Sequence, residues 1–201
     1  VIDDKPSSSM FLGYDMSEID GKIIKYRESK TDQDNISYHI VTDKTSFYPE
    51  GGGQIGDIGQ IISGDSEIQI KNTFKDTGEI IHETTELPDD IQSPVKLKID
   101  KNRRSLIESN HTSTHLLHQA LRNILGKHVE QRGSMISDKM VRFDFSHQNK
   151  ISDLELVNIT NFVNEKINQS IDIIENREED YQIAIKNGAI GLFTEKYEDK
   201  V

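Results

Sequence analysis

Between residues 21 and 99 the sequence is written in period two, and after Asp100 it is not. Ile68 and Ile70 alternate with Glu67, Gln69 and Lys71, and Val95, Leu97 and Ile99 alternate with Lys96 and Lys98. Successive side chains of a strand point to opposite faces, so this spelling makes half-buried strands with one wet face. Further strand candidates lie at 22–27, 37–42, 58–63 and 79–84. Several short strands separated by turn residues predict a small barrel or curled sheet. Beyond Asp100 the pattern predicts helices at 101–108 and 110–126 and a strand over MVRFDF at 140–145. A helix follows from the capping box Ser152–Glu155 to about residue 169. IDIIE at 171–175 reads as a strand. A short helix is expected at 178–187, with three acids in its first turn and Asn187-Gly188 as its end. The expected class is α+β. A linker over 1–10 leads into a β-barrel-like subdomain over 11–100, followed by an α/β subdomain over 101–201.

The chemistry concentrates in HTSTHLLHQALRNILG, residues 111–126. Residues at i and i+4 sit one above the other on a helix, so His111 and His115 face one point, which is half of a zinc site. On a helical wheel His118 and Arg122 join them, while Leu117, Ala120, Leu121 and Ile124 form a roughly opposite apolar face. The histidines therefore line a cleft or open water. A polar helix face with two histidines also arises without any metal. The zinc-protease version of the motif has Glu directly after the first His, and here that position is Thr112. Any further ligand must come from His39, His82, His118, His128, His147, a carboxylate or outside the chain, because there is no Cys.

A second motif, TSFYPEGGGQIGDIGQ at 45–60, places Gly51, Gly52, Gly53, Gly56 and Gly59 close together. Glycine admits positive φ and lets a ligand approach the main chain. The same residues are equally the turn of a hairpin. No GK[ST] follows, so this is not a phosphate-binding P-loop.

The net charge is −11, which sets the surface as a whole against phosphate. The basic residues cluster, however: Lys101, Arg103 and Arg104 precede the histidine helix, and Lys127, Arg132, Lys139 and Arg142 follow it. They are either guides for an RNA end or an ordinary solvated charge pattern. No apolar run approaches the ~20 residues of a membrane helix. The absence of Cys excludes disulfides and fits a cytoplasmic location, and no secretion signal is read.

Taken together and in this order, the motifs resemble the editing region of alanyl-tRNA synthetase. The resemblance covers FLGYD at 11–15, FYPEGGGQIGD at 47–57 and NHTSTHLLHQALRNILGKHVEQRGS at 110–134. It continues through VRFDFSH at 141–147 and KNGAIGLFTEKYEDKV at 186–201. Related editing domains of threonyl-tRNA synthetase and free-standing alanyl-tRNA editing proteins share the HxxxH element. The resemblance implies a β-barrel-like part followed by an α/β editing part, with a cleft that holds His111, His115 and the Gly51–Gln54 loop. It implies zinc-associated hydrolysis of Ser-tRNA(Ala) or Gly-tRNA(Ala), expected to be impaired in this chain, with no aminoacylation expected from it, and with the tRNA(Ala) acceptor end and the remaining synthetase domains as partners and no membrane. It also implies a His-His-Cys-His zinc site of which His111 and His115 are two ligands. The other two belong to a CGGTH segment that the family carries beyond the point matching Val201, so zinc is expected to be absent or weakly bound here. Gln131 matches a family position associated with editing. Thr114 and Gln54 are candidates for water or hydroxyl contact, and Gly51, Gly52, Gly53 and Arg142 for substrate binding. Two other readings are a non-catalytic tRNA-docking module of the synthetase and a free-standing trans-editing hydrolase.

Overall fold

The computed structural model describes residues 9–30, 36–176 and 178–189, and it is α+β. Nine strands come first: β1 (Met10–Phe11), β2 (Glu18–Gly21), β3 (Ile23–Lys30), β4 (Ile36–Thr42), β5 (Lys44–Thr45), β6 (Gly59–Ser63), β7 (Ser66–Asp76), β8 (Glu79–Thr84) and β9 (Val95–Ile99). Then follow α1 (Lys101–Leu125), β10 (Gln131–Ile136), β11 (Val141–Phe145), α2 (Asp153–Asn168) and α3 (Tyr181–Lys186). The chain divides into two compact units, Val1–Ser109 with Ile136–Met140, and Asn110–Met135 with Val141–Val201.

In the first unit seven strands form one curled antiparallel sheet in the order β2-β9-β6-β7-β8-β4-β3. The period-two spelling sets the register. Ile61 lies opposite both Ile68 and Leu97, and all three are buried. A slip of one residue would turn each of them to water. Ile19, Ile23, Ile40, Phe47, Ile70, Val95 and Ile99 complete this core. It is built almost wholly of β-branched residues, which pack well on a pleated surface. Backbone passes very close at Gly59, where a Cβ would stand 2.1 Å from the Lys98 carbonyl oxygen, so only glycine fits that strand start. A parallel pair, β1 with β5, flanks the sheet.

In the second unit the rest of α1, the β10–β11 pair and α2 enclose Ala120, Leu121, Val129 and Ile159, with Leu117, Ile124, Phe143 and Phe145 packed around them. The expected capping box is present: the Ser152 hydroxyl accepts from the Glu155 N–H, and Glu155 accepts from the Ser152 N–H.

Three expectations are corrected. The two helices at 101–108 and 110–126 are one helix, because Ser109 does not cap a new one; its hydroxyl donates back to the Ser105 carbonyl at 2.9 Å. Residues 171–175 form no strand: Ile171, Ile173 and Ile174 are 60, 82 and 96% exposed, and a strand exists only against a partner. The last short helix starts at Tyr181, so Glu178, Glu179 and Asp180 precede its first turn and Asp180 serves as its cap, accepting from the Ile183 N–H. The linker lies outside the described residues up to residue 8, and Met10 already pairs with Lys44.

Candidate functional site on the histidine helix

On α1 the rings of His111 and His115 lie 5.2 Å apart and within 17° of parallel, as the i, i+4 spacing requires. His111 is half-buried and His115 exposed. One turn on, His118 is 8% exposed and packs on Phe143 at 5.4 Å, and its Nε2 has no hydrogen-bond partner among the described residues. Burial, then the charge of Arg122, holds its pKa below the ordinary histidine value, so it stands neutral. Thr114 is buried and donates its hydroxyl proton to the Asn110 carbonyl at 2.9 Å, which leaves its oxygen as an acceptor only.

Gln131, half-buried at the start of β10, reaches the Ser134 hydroxyl at 3.4 Å. Arg142, exposed on β11, pairs with Asp144 at 3.2 Å. Lys127 and Lys139 are exposed.

The glycine-rich segment belongs to the other unit. Gly51 and Gln54 exchange backbone hydrogen bonds of 3.1 and 2.9 Å, and between them Gly52 and Gly53 take φ of +58° and +81°. Two consecutive positive φ values make a tight turn that fits the twist of paired backbone. The turn is tied down by the Ile136 N–H, which donates to the Gly53 carbonyl at 2.8 Å. Gln54 is 5% exposed.

The remaining histidines are occupied elsewhere. His82 is fully buried, with Nδ1 3.0 Å from the Ile40 carbonyl and Nε2 2.8 Å from the Thr45 hydroxyl. A carbonyl only accepts, so the proton sits on Nδ1 and the ring is neutral, which agrees with a pKa lowered to about 4 by burial. His39 accepts from Arg27, and His128 and His147 bond one another at 3.0 Å. Among the described residues no group of three or more His, Cys, Asp or Glu is placed to hold a metal ion. His111 and His115 place two imidazoles on one helix face, fewer donors than the four of a tetrahedral zinc site.

The basic cluster ahead of the histidines resolves differently from the expectation. Arg104 is buried and bound to Asp57 through Nε at 3.0 Å, with further bonds to the Gly13 and Ser46 carbonyls at 2.8 and 3.1 Å. Arg103 donates to the Gly56 carbonyl at 2.9 Å and pairs with Asp138. Both arginines brace the first turn of α1 within the sheet unit, and only Lys101 of that cluster faces water. Arg132 is likewise bound, to Glu130. Asp57, the last residue of FYPEGGGQIGD, was missed as a structural anchor. Its single sequence signal is an acid closing an otherwise uncharged glycine run, and its partner lies 47 residues away.

Comparison with known proteins decides the family. The model of the class II (A) tRNA synthetases matches residues 1–103. The chain belongs to that family. An alanine–tRNA ligase of Christiangramia forsetii is 47% identical over 192 residues, which are 95% of this chain and 22% of the ligase. That of Cytophaga hutchinsonii is 46% identical over 95% of the chain, and that of Pseudothermotoga lettingae 42% over 97%, again with 22% of each ligase covered. This synthetase chain therefore spans about a fifth of the length of the relatives it matches. No described helix is long and apolar enough to cross a membrane.

Proposed function

We propose that this chain is the editing region of an alanine–tRNA ligase and hydrolyses Ser-tRNA(Ala) or Gly-tRNA(Ala), with His111 and His115 as paired metal ligands. The observation that carries the reading is the parallel pair of imidazoles on one face of α1, in a chain 47% identical to such a ligase. A synthetic site that accepts alanine discriminates weakly against one added hydroxyl or one missing methyl, so a second, hydrolytic site is chemically required. An aminoacyl ester is already activated. Its hydrolysis needs a held water and charge stabilisation, with no covalent nucleophile. Zinc, when bound, supplies a Lewis acid and lowers the pKa of a water.

The chain's own residues supply the rest. Thr114, its proton committed to Asn110, accepts a hydrogen bond from a water or from a serine hydroxyl. The Gln131 amide keeps an acceptor oxygen and one N–H beyond its long contact with Ser134. Arg142 meets an anionic group by exchanging Asp144 for it. The tRNA(Ala) acceptor end and the remaining ligase domains are the partners in this reading. The test is hydrolysis itself. Ser-tRNA(Ala) is deacylated faster than Ala-tRNA(Ala), and the difference disappears when His111 or His115 is replaced by Ala. The longer ligase, with the family's CGGTH segment, is the faster enzyme.

A further inference from the structure

The sheet unit carries a groove of about 550 Å³ on its water-facing side, where β7, β6 and β9 meet the first turn of α1. Its charged lining is Lys71, Lys98, Lys101 and Asp100, and Gln60 and Gln69 lie between the lysines. Register explains the arrangement. Gln69, Gln60 and Lys98 stand side by side across three strands, and Lys71 lies two residues along from Gln69. Ile68, Ile70, Leu97 and Ile99 point into the core, so the alternate residues point out.

The lysines here differ from others on the same sheet. Lys96, on the same face of the same strand as Lys98, pairs with Glu18 at 3.2 Å and approaches Asp20 at 4.0 Å. Lys25 pairs with Glu79. Lys71, Lys98 and Lys101 have no ion-pair partner among the described residues. Glu18, directly opposite Lys98 on β2, is bound to Lys96, Glu67 accepts from Gln60, and Asp100 accepts from the Arg103 N–H at 3.0 Å while keeping its charge in the groove. Three lysines without an ion-pair partner among the described residues thus share one groove with one carboxylate, Asp100, in a chain whose net charge is −11.

We propose that this groove binds the phosphodiester backbone of duplex RNA. Two strand spacings and the two-residue offset along β7 set Lys71 and Lys98 roughly 12 Å apart at the backbone, which suits separate charges of a polyanion better than one phosphate. No aromatic side chain lines the groove, so it has no platform on which unpaired bases stack. Amide and ammonium donors read backbone and position it without reading sequence. The inference rests on the reading of this chain as part of a tRNA-handling enzyme and adds the surface that would hold the stem.

The test is fluorescence anisotropy of a labelled RNA duplex with the 201-residue chain across a salt series. Lys98→Ala and Lys96→Ala remove the same charge from the same strand. The slope of log affinity on log salt becomes shallower by about 0.9 in the first and stays within error in the second. The Lys71→Ala/Lys98→Ala/Lys101→Ala variant loses roughly 2–3 of slope. The Gln versions at the same three positions, which keep side-chain length, give the same loss. Equal effects of Lys96 and Lys98, an unchanged slope in the triple variants, tighter binding of single-stranded RNA, or no duplex binding at the lowest salt would each overturn the proposal. Hydrolysis is not read in this assay, so loss of the histidine reading leaves its outcome untouched.

Discussion

In the sheet unit, Asp57 of the glycine-rich motif is buried and bound to Arg104, and the Gly51–Gln54 turn spends its backbone groups on itself and on Ile136. In the helical unit, His118 is buried as well, yet its Nε2 has no hydrogen-bond partner among the described residues, and the rings of His111 and His115 stack on the turns before it. The two motifs are equally conspicuous as sequence, but the first is engaged in holding the sheet unit together, and the proposed chemistry falls on the second. Changes in the first should therefore cost stability, and changes in the second should cost activity.

The largest expected effect breaks the buried ion pair. Asp57→Asn leaves the buried Arg104 with only the exposed Glu108, at 3.6 Å, as counter-charge, at a cost of about 3 kcal/mol in chemical denaturation. Thr112→Ala, exposed on α1, should stay within about 0.5 kcal/mol. Comparable losses at the two positions would erase the contrast.

His82 gives a pH handle on the sheet unit alone. Its pKa in the folded state is about 4, against 6.5 as the ordinary value, so between these limits the unfolded chain binds more protons. No penalty exists above pH 6.5. Stability falls as pH drops from 6.5 toward 4, by roughly 3 kcal/mol, and levels off below. A denaturant series at stepped pH, with His82→Gln as reference, should show this slope in the wild type and a flatter one in the variant.

Within the turn, Gly53→Ala forces a Cβ onto a φ of +81° and should cost about 1–2 kcal/mol. Gly51, where a Cβ would meet only the Pro49 carbonyl at 3.7 Å, should tolerate alanine within about 0.5 kcal/mol. Equal tolerance at both positions would mean that the turn is not held as described.

Much of this architecture was readable from local pattern. Period two placed β4, β6, β8 and β9, the Ser152–Glu155 box placed α2, and the i, i+4 spacing placed His111 beside His115. What local pattern does not contain is the partner. IDIIE spells a strand but has none to pair with among the described residues, and QRGSMI, with Arg132 and Gly133, hides β10, which forms because β11 lies beside it. Arg104 looked like a surface cation because its anion is far away in sequence. Lys71 and Lys98, far apart in sequence, become neighbours of one groove only through the β7-β6-β9 pairing.

On this account hydrolysis depends on the α1 histidines, while Asp57, Arg104 and the Gly51–Gln54 turn hold the fold. Deacylation of Ser-tRNA(Ala) by His111→Ala and His115→Ala, beside the unaltered chain and Thr112→Ala, tests it most directly. The account predicts that each histidine variant loses at least roughly 100-fold in rate with its denaturation midpoint nearly unchanged, while Thr112→Ala keeps the rate. A His111→Ala chain that still deacylates Ser-tRNA(Ala) at the original rate would contradict it.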